Sequence, residues 1–465
     1  MHLSKPTLLF LIILIEGYVV LATELLAIRS LVPFVGSGTE VISIIISAVL
    51  LPLALGYHYG GRVKGKVRAR LLSNAMMALA ILTYGLSYFF LEVFFNLLKY
   101  LHITHPVQQA FFYALLFLSW PVFLLGQTVP LVSNYFGRKR LSEITGRMLF
   151  FSTVGSFGGS VFSTLVLMNT IGVHWTVVVT LSMLGALILL LMRRRISLQG
   201  TCVMVLLGLV LLINSPMTMQ AMHVVSDNSY NTVSVYDDAK DGGRMFNLNR
   251  SSSSLLGLHG ERLFPYIKFI ERNFIATSGD APRDFLVIGA GGFTVGLDDT
   301  KNHYLFVDID PKLKEIAEKE FLPKPLTPNK RFVASSARAF LRQKQQYYDM
   351  IFIDTYTHIY SVPMETTTVE FLRAAKHLLK PGGVLVVNQI ATADFKDRFS
   401  KRYDRGFAEV FGTYTRQVIG DFNPWKAHDQ THDLHNVMYI YYDRPLNGDT
   451  VLYTDDLNTY SLDRH

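Results

Sequence analysis

Seven long apolar runs fill the first half of the chain, and most of them are long enough to cross a bilayer as a helix. They cover roughly 7–28, 39–60, 71–98, 107–133, 147–168, 173–192 and 198–214. The first run continues past 20 residues without a small-residue cleavage site, which is typical of a retained helix rather than a signal peptide. The pattern predicts a multi-pass α-helical membrane domain of about seven helices over residues 1–215.

Beyond Val224 the pattern changes to short β-rich runs that alternate with helical stretches. The runs 232–236 and 245–248 predict a small β element inside a linker at 216–280. Further strands are expected at 285–288, 303–307, 331–333, 350–354, 384–388 and 437–441, and helices at 311–320, 336–345 and 365–379. Because strands that alternate with helices form parallel sheets, residues 281–465 are predicted to be an α/β Rossmann-like domain.

Charge is divided unevenly between the two halves. Residues 1–215 hold 15 Lys and Arg against 5 Asp and Glu, whereas the rest of the chain holds 29 against 31. The net charge of +8 therefore belongs to the apolar half, where it indicates membrane topology rather than a nucleic-acid partner. With 50% hydrophobic and 17% charged residues, the chain is neither disordered nor a purely soluble enzyme. The single cysteine, Cys202, excludes a disulfide framework.

Basic residues cluster in alternate loops, at 61–70, 137–147 and 193–195, and Lys5 precedes the first run. By the positive-inside rule, these loops and the N-terminus are cytoplasmic. Seven crossings then place the C-terminal half outside the cytoplasm. The stretch 215–239, which contains no Lys or Arg, agrees with this placement.

Two carboxyl groups, Glu16 and Glu24, lie on one face of the first predicted helix. Carboxyl groups inside a membrane are costly and usually line the interior of a helix bundle or a polar path. The alternative for Glu24 is pairing with nearby Arg29. A stripe of small residues at 152–163 has helical spacing and predicts close helix packing rather than a ligand site.

A glycine-rich loop, Gly289-Ala290-Gly291-Gly292, follows the first strand of the predicted sheet, and such loops let a ligand approach the backbone closely. Asp308 ends the next strand, where a carboxylate can accept both hydroxyls of an adenosine ribose. Asp354 ends the fourth strand at the same edge. A capping or other structural role is the alternative for both aspartates.

These stretches and several others resemble the spermidine synthase group of polyamine aminopropyltransferases. The matching segments are 229–231, 288–292, 307–310, 348–354 and 379–383. The apolar half resembles the multi-helix region that is fused to spermidine synthase in many bacterial proteins, through Glu24, Arg29, Pro33 and Gly36 and the segments 54–57, 60–62 and 152–156. The resemblance implies a methyltransferase-type domain in a protein of the bacterial inner (plasma) membrane.

The same resemblance implies transfer of an aminopropyl group from decarboxylated S-adenosylmethionine to a polyamine such as putrescine, which leaves methylthioadenosine. It implies a division of roles among these residues: nucleotide binding by Gly289, Gly291, Gly292, Asp308 and Ser336, amine binding by Tyr230, Asn231 and Tyr356, and catalysis by Asp354.

This sequence departs from the family pattern at several acidic positions. Gly292, Ser336 and Thr357 stand where the family has acidic residues, and the segment 248–253 differs from the family's gate-loop motif. Since carboxylates hold cationic amines and take the proton from the nucleophile, these losses weaken the expected activity. His358 is a candidate substitute base because imidazole titrates near neutral pH. An exposed loop histidine is the alternative.

A histidine-rich segment contains His428, His432 and His435. His-x3-His spacing suits a metal ion, but a solvated polar loop is the favoured interpretation, and no metal is expected.

The leading hypothesis is therefore a membrane-anchored aminopropyltransferase, with a small polyamine and the bilayer as partners, no nucleic acid, and a possible homodimer. Three alternatives stay open: a binding or regulatory membrane protein that has lost the chemistry, an S-adenosylmethionine-dependent methyltransferase, and a transporter of an amine or lipid. The charge pattern places the C-terminal domain outside the cytoplasm, whereas the family chemistry favours the cytoplasm, where decarboxylated adenosylmethionine is made.

Overall fold

The computed structural model describes residues 5–63, 65–134, 141–192, 197–239, 241–343, 346–356, 364–420 and 434–443. These residues form two compact units. The first contains the described residues of Met1–Glu261 and Glu315–Pro323 together with Tyr356, and the second contains those of Arg262–Lys314, Lys324–Thr355 and Pro363–His465.

The first unit begins with helices that are joined by short turns. Over the described ranges they are α1 (Lys5–Val35), α2 (Thr39–Arg62), α3 (Val67–Gly85), α4 (Tyr88–Tyr100), α5 (Pro106–Tyr113), α6 (Ser119–Gly126), α7 (Thr128–Ser133), α8 (Leu141–Val161), α9 (Met168–Thr170), α10 (Val173–Leu191), α11 (Leu198–Ile213) and α12 (Pro216–Ala221). Turns of π-helix at Ala114–Leu118 and Phe162–Leu167 continue α5 into α6 and α8 into α9. The part from α1 to α11 is called the helical region below.

Each of the seven predicted apolar runs is helical. Among the described residues, five stretches are long and apolar enough to cross a membrane: Thr7–Val35, Thr39–Arg62, Pro106–Ser133, Ser142–Thr170 and Val173–Leu191. The bent pair α3 and α4 passes the same test when the two helices are taken together, and α11 is an apolar helix of 16 residues. Seven crossings therefore stay a prediction, with α11 the shortest candidate.

The run at 71–98 forms two helices instead of one, because α3 and α4 meet at an angle of 69°. Hydroxyl groups satisfy the carbonyls that the bend frees. Ser87 Oγ donates to Thr83 O at 2.6 Å, and the hydroxyl of Tyr113 donates to Gly85 O at 2.8 Å. A bend inside an apolar region is tolerated when neighbouring side chains take over the backbone hydrogen bonds in this way.

Helices α1 and α8 run parallel and touch along the predicted stripe of small residues. Phe10 stacks on Phe151 near one end of the contact, and Tyr18 is hydrogen-bonded to Ser163 at 2.9 Å near the other. A Cβ added at Gly155 would overlap the carbonyl oxygen of Leu14. The stripe therefore packs helix against helix, as predicted, because glycine lets the two backbones approach each other.

The helix ends that flank the basic stretches lie at one end of the helical region. Arg68 Nε donates to Leu191 O at 2.5 Å, which brings the start of α3 to the end of α10. Asn134 Nδ2 donates to Val63 O at 3.2 Å, which brings the end of α7 to the end of α2. Because α1 and α8 are parallel, their first residues also lie at a common end.

A small antiparallel sheet completes the first unit. Its strands, in sheet order, are β1 (Val224–Asp227), β2 (Thr232–Asp238), β3 (Gly243–Leu248) and β4 (Ser251–Gly257). The predicted β element has four strands here rather than two. Sequence patterns found only β2 and β3, since β1 is short and the serines of β4 hide its alternation.

The second unit is built on a seven-stranded sheet. Its strands are β5 (Asp284–Ile288), β6 (His303–Asp308), β7 (Lys330–Ala334), β8 (Tyr348–Ile353), β9 (Leu379–Thr392), β10 (Thr415–Ile419) and β11 (Leu434–Tyr442), in the order β10-β11-β9-β8-β5-β6-β7. Its helices are α13 (Pro265–Ile270), α14 (Leu313–Ile316), α15 (Ala337–Gln343), α16 (Val369–His377) and α17 (Arg398–Phe411), with a π-helical turn at Glu271–Ile275 and a 3-10 turn at Met364–Thr367. The second half of α14 and the π-helical turn Ala317–Phe321 that follows it belong to the first unit.

The sheet is mostly parallel, as the alternation of strands and helices predicts, except at one edge. Strands β9, β8, β5, β6 and β7 are parallel neighbours, but β11 runs antiparallel to β9 and pairs with β10 at the edge. The central strands are buried on both faces, and Leu286 and Ile351 are fully enclosed. Two-sided burial explains the continuous apolar runs of the sequence.

Candidate functional site

The glycine loop leaves β5 beside the end of β8. Gly289 has a φ of +90°, and a Cβ added there would overlap the carbonyl oxygen of Asp354. Its N–H donates to Val307 O at 2.9 Å, which ties the loop to β6. A glycine is therefore required at this position both by backbone conformation and by the close approach of the chain after β8.

Asp308 holds the glycine loop. Its Oδ2 accepts a hydrogen bond from Ala290 N at 3.0 Å, and its Oδ1 accepts one from Asp310 N at 3.2 Å. Burial raises the pKa of Asp308 to about 6, although these backbone donors act in the opposite direction. The residue as a whole is half-buried.

The residue that caps the next helical turn is Asp310, the neighbour of Asp308. The start of the next helical turn is held by Asp310, whose Oδ1 accepts from Lys312 N at 3.0 Å and whose carbonyl accepts from Leu313 N. Asp308 is thus hydrogen-bonded to the glycine loop and to Asp310, while Asp310 caps the helical turn that follows. This arrangement is that of a loop-positioned carboxyl group at the carboxyl edge of the sheet.

Asp354 follows β8 at the same edge and is also half-buried. Asn388 of β9 donates to its Oδ1 at 3.0 Å, and Asn388 also donates to Asn436 of β11 at 2.9 Å. Burial raises the pKa of Asp354 to about 6, while hydrogen bonds from Asn388 and Tyr266 lower it. The sequence pattern did not indicate that Asn388 and Tyr266 belong to the site. The signal for Asn388 was an amide directly after the apolar run 384–387.

Ser336 lies after β7, beside the same edge. Ser335 N donates to Asp308 O at 2.8 Å, which brings the two loops together. Ser336 Oγ accepts from Ala339 N at 3.3 Å, so its hydroxyl caps the start of α15. The loops of Gly289, Gly291, Gly292, Asp308, Ser336 and Asp354 therefore gather at one edge of one sheet.

Tyr230 and Asn231 belong to the first unit, in the turn between β1 and β2. The side chain of Asn228 accepts from the backbone N of both residues, at 2.8 and 3.0 Å. Asn249 Nδ2 donates to Asn231 Oδ1 at 3.0 Å, and Asn231 is only 9% exposed. Tyr230 is 39% exposed. The turn thus uses the Asn231 amide internally and presents the Tyr230 ring.

Other predicted site residues fall at or beyond the limits of the described chain. Tyr356 is the last residue described after β8, and Thr357 and His358 lie outside the described residues, as do His428 and His432. His435 lies in β11. Within the described residues, no group of three or more His, Cys, Asp or Glu side chains is arranged to hold a metal ion.

Comparison with known proteins first defines the class. The family model for the methyltransferase domain matches residues 286–387, which run from β5 into β9. The second unit is thus a methyltransferase-type, Rossmann-like domain.

Individual relatives then narrow this class. A polyamine aminopropyltransferase of Vibrio vulnificus is 32% identical over 165 residues, which are 34% of this chain and 54% of that protein. A probable polyamine aminopropyl transferase of Bifidobacterium longum is 30% identical over 106 residues, 23% of each chain. The crystal structure of a probable spermidine synthase from Corynebacterium glutamicum is 23% identical and has a TM-score of 0.40, covering 48% of this chain and 80% of that one.

The resemblance to spermidine synthase-like proteins is confirmed by the curated relatives. The chain spans about half the length of the first relative and about a quarter of the second. Fusion to a membrane region rests on the apolar helices alone.

Proposed function

We propose that this protein is a membrane-anchored transferase that moves an aminopropyl group from decarboxylated S-adenosylmethionine to a small polyamine. The observation that carries the proposal is the pair of half-buried carboxyl groups, Asp308 and Asp354, at one sheet edge on either side of the glycine loop. The curated relatives support this class of chemistry.

Asp308 and the glycine loop fit the nucleoside part of the donor. Gly289 lets the loop pass directly against the carbonyl oxygen of Asp354, and glycine loops at this edge of a parallel sheet let a ribose approach the backbone. The Asp308 carboxylate is suited to accept the two ribose hydroxyls, while its bonds from Ala290 N and Asp310 N keep it oriented. Ser336 supplies a hydroxyl at the same edge in place of an acidic residue.

Asp354 is suited to the amine. In aminopropyl transfer, the amine nitrogen forms a bond to the carbon next to the sulfonium, the carbon–sulfur bond breaks, and methylthioadenosine leaves with the electron pair. The attacking nitrogen must lose a proton, and a carboxylate beside it both attracts the cationic amine and assists that loss. Asn388 and Tyr266 orient Asp354 for this role. His358 and Tyr356 are further candidates in the same segment, as base and amine contact.

Methyl transfer from S-adenosylmethionine is the second candidate. It is favoured by the match of residues 286–387 to the methyltransferase domain family. It would use Asp308 and the glycine loop in the same way, without requiring Asp354 to bind a cationic amine. The two functions therefore differ in the donor and in the dependence on Asp354.

The location of the second unit is part of the proposal. The basic stretches leave one end of the helical region, and Arg29, far along α1 from Lys5, contacts the turn after β1 instead. This arrangement supports a small sheet on the face opposite to the basic loops, outside the cytoplasm by the positive-inside rule. The family chemistry favours the opposite placement, in the cytoplasm. Cysteine labelling of intact cells distinguishes these two orientations.

The test uses full-length protein in detergent with decarboxylated S-adenosylmethionine and putrescine, and measures methylthioadenosine. Asp354→Asn should lower the rate by about 10²–10⁴, the usual cost of losing a general base. Asp349→Asn is the matched control, since Asp349 lies near the start of β8, at the other end of the strand from Asp354, and pairs with Lys380 at 2.8 Å. It should leave the rate within a few-fold.

A second measurement separates binding from chemistry. Methylthioadenosine at 100 times its dissociation constant should stabilise the protein by about 2.7 kcal/mol, and Asp308→Ala should abolish the rise in melting temperature. Binding without transfer would favour the non-catalytic alternative. Product formation from S-adenosylmethionine with a methyl acceptor, and none from its decarboxylated form, would favour the methyltransferase. No thermal shift at millimolar ligand would reject both.

A further inference from the structure

Glu16 is sealed inside the helical region. It lies in α1 within the stretch Thr7–Val35 and is 1% exposed. Its Oε2 atom has no hydrogen-bond partner among the described residues. A buried polar atom without a partner is uncommon in folded proteins and needs a physical explanation.

Two hydroxyl groups lie close to this carboxyl group. On α8, Ser152 is brought against α1 by Gly17, where an added Cβ would overlap the Ser152 carbonyl oxygen. On α2, the hydroxyl of Tyr57 lies within electrostatic reach of Glu16 and near Ser152. Tyr57 is 39% exposed, so its ring reaches from the buried carboxyl to the surface of the helical region. It lies five residues, or about 8 Å, from the end of α2.

No described cation neutralises Glu16. Arg29 on α1 is about 20 Å further along the helix and is bound to Asp227 at 3.2 Å. On α8, Arg147 is paired with Glu143 at 3.1 Å. Among the described side chains, the other titratable residues on α1 and the helices packed against it are Tyr18 and Glu24 on α1, Glu40, His58, Tyr59 and Arg62 on α2, Tyr113 on α5, and His174 on α10. None of these acts on the Glu16 carboxyl as a charge, and burial is the effect that dominates there.

An ionised carboxylate that is buried without a partner costs many kcal/mol, and in practice such a group takes up a proton instead. Once protonated, Glu16 gains an O–H donor, which the hydroxyl oxygens of Tyr57 and Ser152 are suited to accept. We propose that Glu16 is a proton-binding site of the helical region, which holds its proton between α1, α2 and α8 and exchanges it with the surroundings through Tyr57. The proposal does not depend on the transferase function.

A hydrophobic carbodiimide tests whether Glu16 carries a proton. The acid O–H adds across a C=N bond of the reagent, the proton passes to nitrogen, and no group leaves, so only protonated carboxyl groups react. With the full-length protein in membrane vesicles at pH 7, mass spectrometry should find the adduct on Glu16. Glu24→Gln, on the same helix but half-buried, should keep this adduct, and Glu16→Gln should lose it.

The result that overturns proton binding is an unlabelled Glu16 in folded protein between pH 5 and 9, when the same peptide is labelled after unfolding. Unfolded protein controls for the reagent, and the conservative Glu16→Gln keeps the side-chain volume, so its folding can be checked by the same thermal melt as wild type.

Infrared spectroscopy tests the exchange. Wild type should show a carboxylic-acid C=O band that is absent in Glu16→Gln and that shifts when the protein is moved into heavy water. Tyr57→Phe should keep the band and slow its shift, whereas the exposed neighbour Tyr59→Phe should not slow it. A band that never shifts, or that shifts equally fast in Tyr57→Phe, would contradict the proposed route. A missing band would contradict proton binding itself.

Discussion

Asp308 and Asp354 share an environment that is unusual for aspartate. Both lie at the carboxyl edge of a parallel sheet, both are half-buried, and burial raises the pKa of each to about 6. A carboxyl group with this property is partly protonated in weak acid, whereas an ordinary aspartate is fully ionised there. The pH response of the site is therefore a property of single residues and can be measured as such.

The amine affinity should fall in weak acid. Asp354 attracts a cationic amine only when ionised, and its pKa of about 6 means that the ionised fraction drops about tenfold for each pH unit below that value. The Michaelis constant for putrescine should therefore be constant from pH 7 to 8 and rise below about 6. An Asp354→Asn variant with residual activity should show no such rise. A wild-type Michaelis constant that stays flat to pH 5 would contradict this role of Asp354.

The sign of the stability effect follows from the same pKa. Because the folded-state pKa of Asp354 lies above the unfolded value of about 4, the native protein binds more protons than the unfolded chain between pH 4 and 6. The contribution of this group to stability therefore decreases as pH rises through that window. A bound cationic amine would reverse this penalty, which couples occupancy of the site to stability.

At the scale of elements, the crossing of α1 and α8 depends on backbone contact. Gly155 meets Leu14, and Gly159 meets Tyr18, where any added Cβ would overlap a carbonyl oxygen. Inside a membrane the lipid is as apolar as the helix surfaces, so helices associate there through this kind of packing rather than through the hydrophobic effect.

Gly155→Ala should therefore lower the melting temperature of the detergent-solubilised protein, with a cost of about 1–3 kcal/mol, as for other overpacked contacts. Gly158→Ala is the matched control on the same helix, since its added Cβ would lie 3.8 Å from the ring of Tyr18, an ordinary contact. Equal melting temperatures for the two variants would show that the two helices are not in backbone contact.

The small sheet is joined to the helical region by buried polar contacts. Arg29 of α1 donates to Asn228 O at 2.7 Å and to Thr232 Oγ1 at 3.1 Å, and it pairs with Asp227 at 3.2 Å. A second arginine reaches from the small sheet to the helices: Arg250, in the turn between β3 and β4, pairs with Glu92 of α4 and lies 4.8 Å from the ring of Phe34. The first unit is therefore one body that includes both the helices and the turn of Tyr230.

Replacing Arg29 of α1 should lower the free energy of unfolding more than replacing a surface arginine of the small sheet. Arg29→Gln leaves the Asp227 carboxylate buried without its partner, at a cost of about 3–5 kcal/mol. Arg244→Gln breaks the exposed pair of Arg244 with Asp237 and should cost about 1 kcal/mol or less. Thermal melts of both variants, and of Arg29→Gln combined with Asp227→Asn, measure this. The double variant should be more stable than Arg29→Gln alone, and additive losses would show that the two residues are not coupled.

At the scale of the whole molecule, the arrangement of charge predicts membrane orientation. The basic stretches leave a common end of the helical region, and the small sheet is attached through Arg29 and Arg250 elsewhere. If the basic end is cytoplasmic, the chain that follows β4 continues outside.

Cysteine labelling of intact cells tests this orientation. In a Cys202→Ser background, a cysteine replacing His465 should react with a membrane-impermeant thiol reagent, and one replacing Gly65 should react only after the cells are opened. The opposite pattern would place the second unit in the cytoplasm. It would remove the conflict with a cytoplasmic donor substrate and overturn the orientation drawn from charge.

The sequence alone determined the features that depend on neighbouring residues. The apolar runs predicted the helices, because their length and composition are local properties. The strands of the seven-stranded sheet and the loop of Gly289 were predictable for the same reason, since alternation of strand and helix leaves few possible topologies. The position of Asp308 at the end of a strand beside the glycine loop was predictable in the same way.

Tertiary structure alone decided the contacts between distant segments. Asn388 reaches Asp354 from another strand, Arg29 reaches Asp227 across 198 residues, and the bend at Ser87 is satisfied by Tyr113. The reversal of β11 and the four strands of the small sheet also escaped the sequence patterns. A pattern of polarity records which residues are buried but not which partners they meet, because hydrogen-bond partners are chosen by packing in three dimensions. The burial of Glu16 and the partners of Asp354 are therefore decided only in the folded chain.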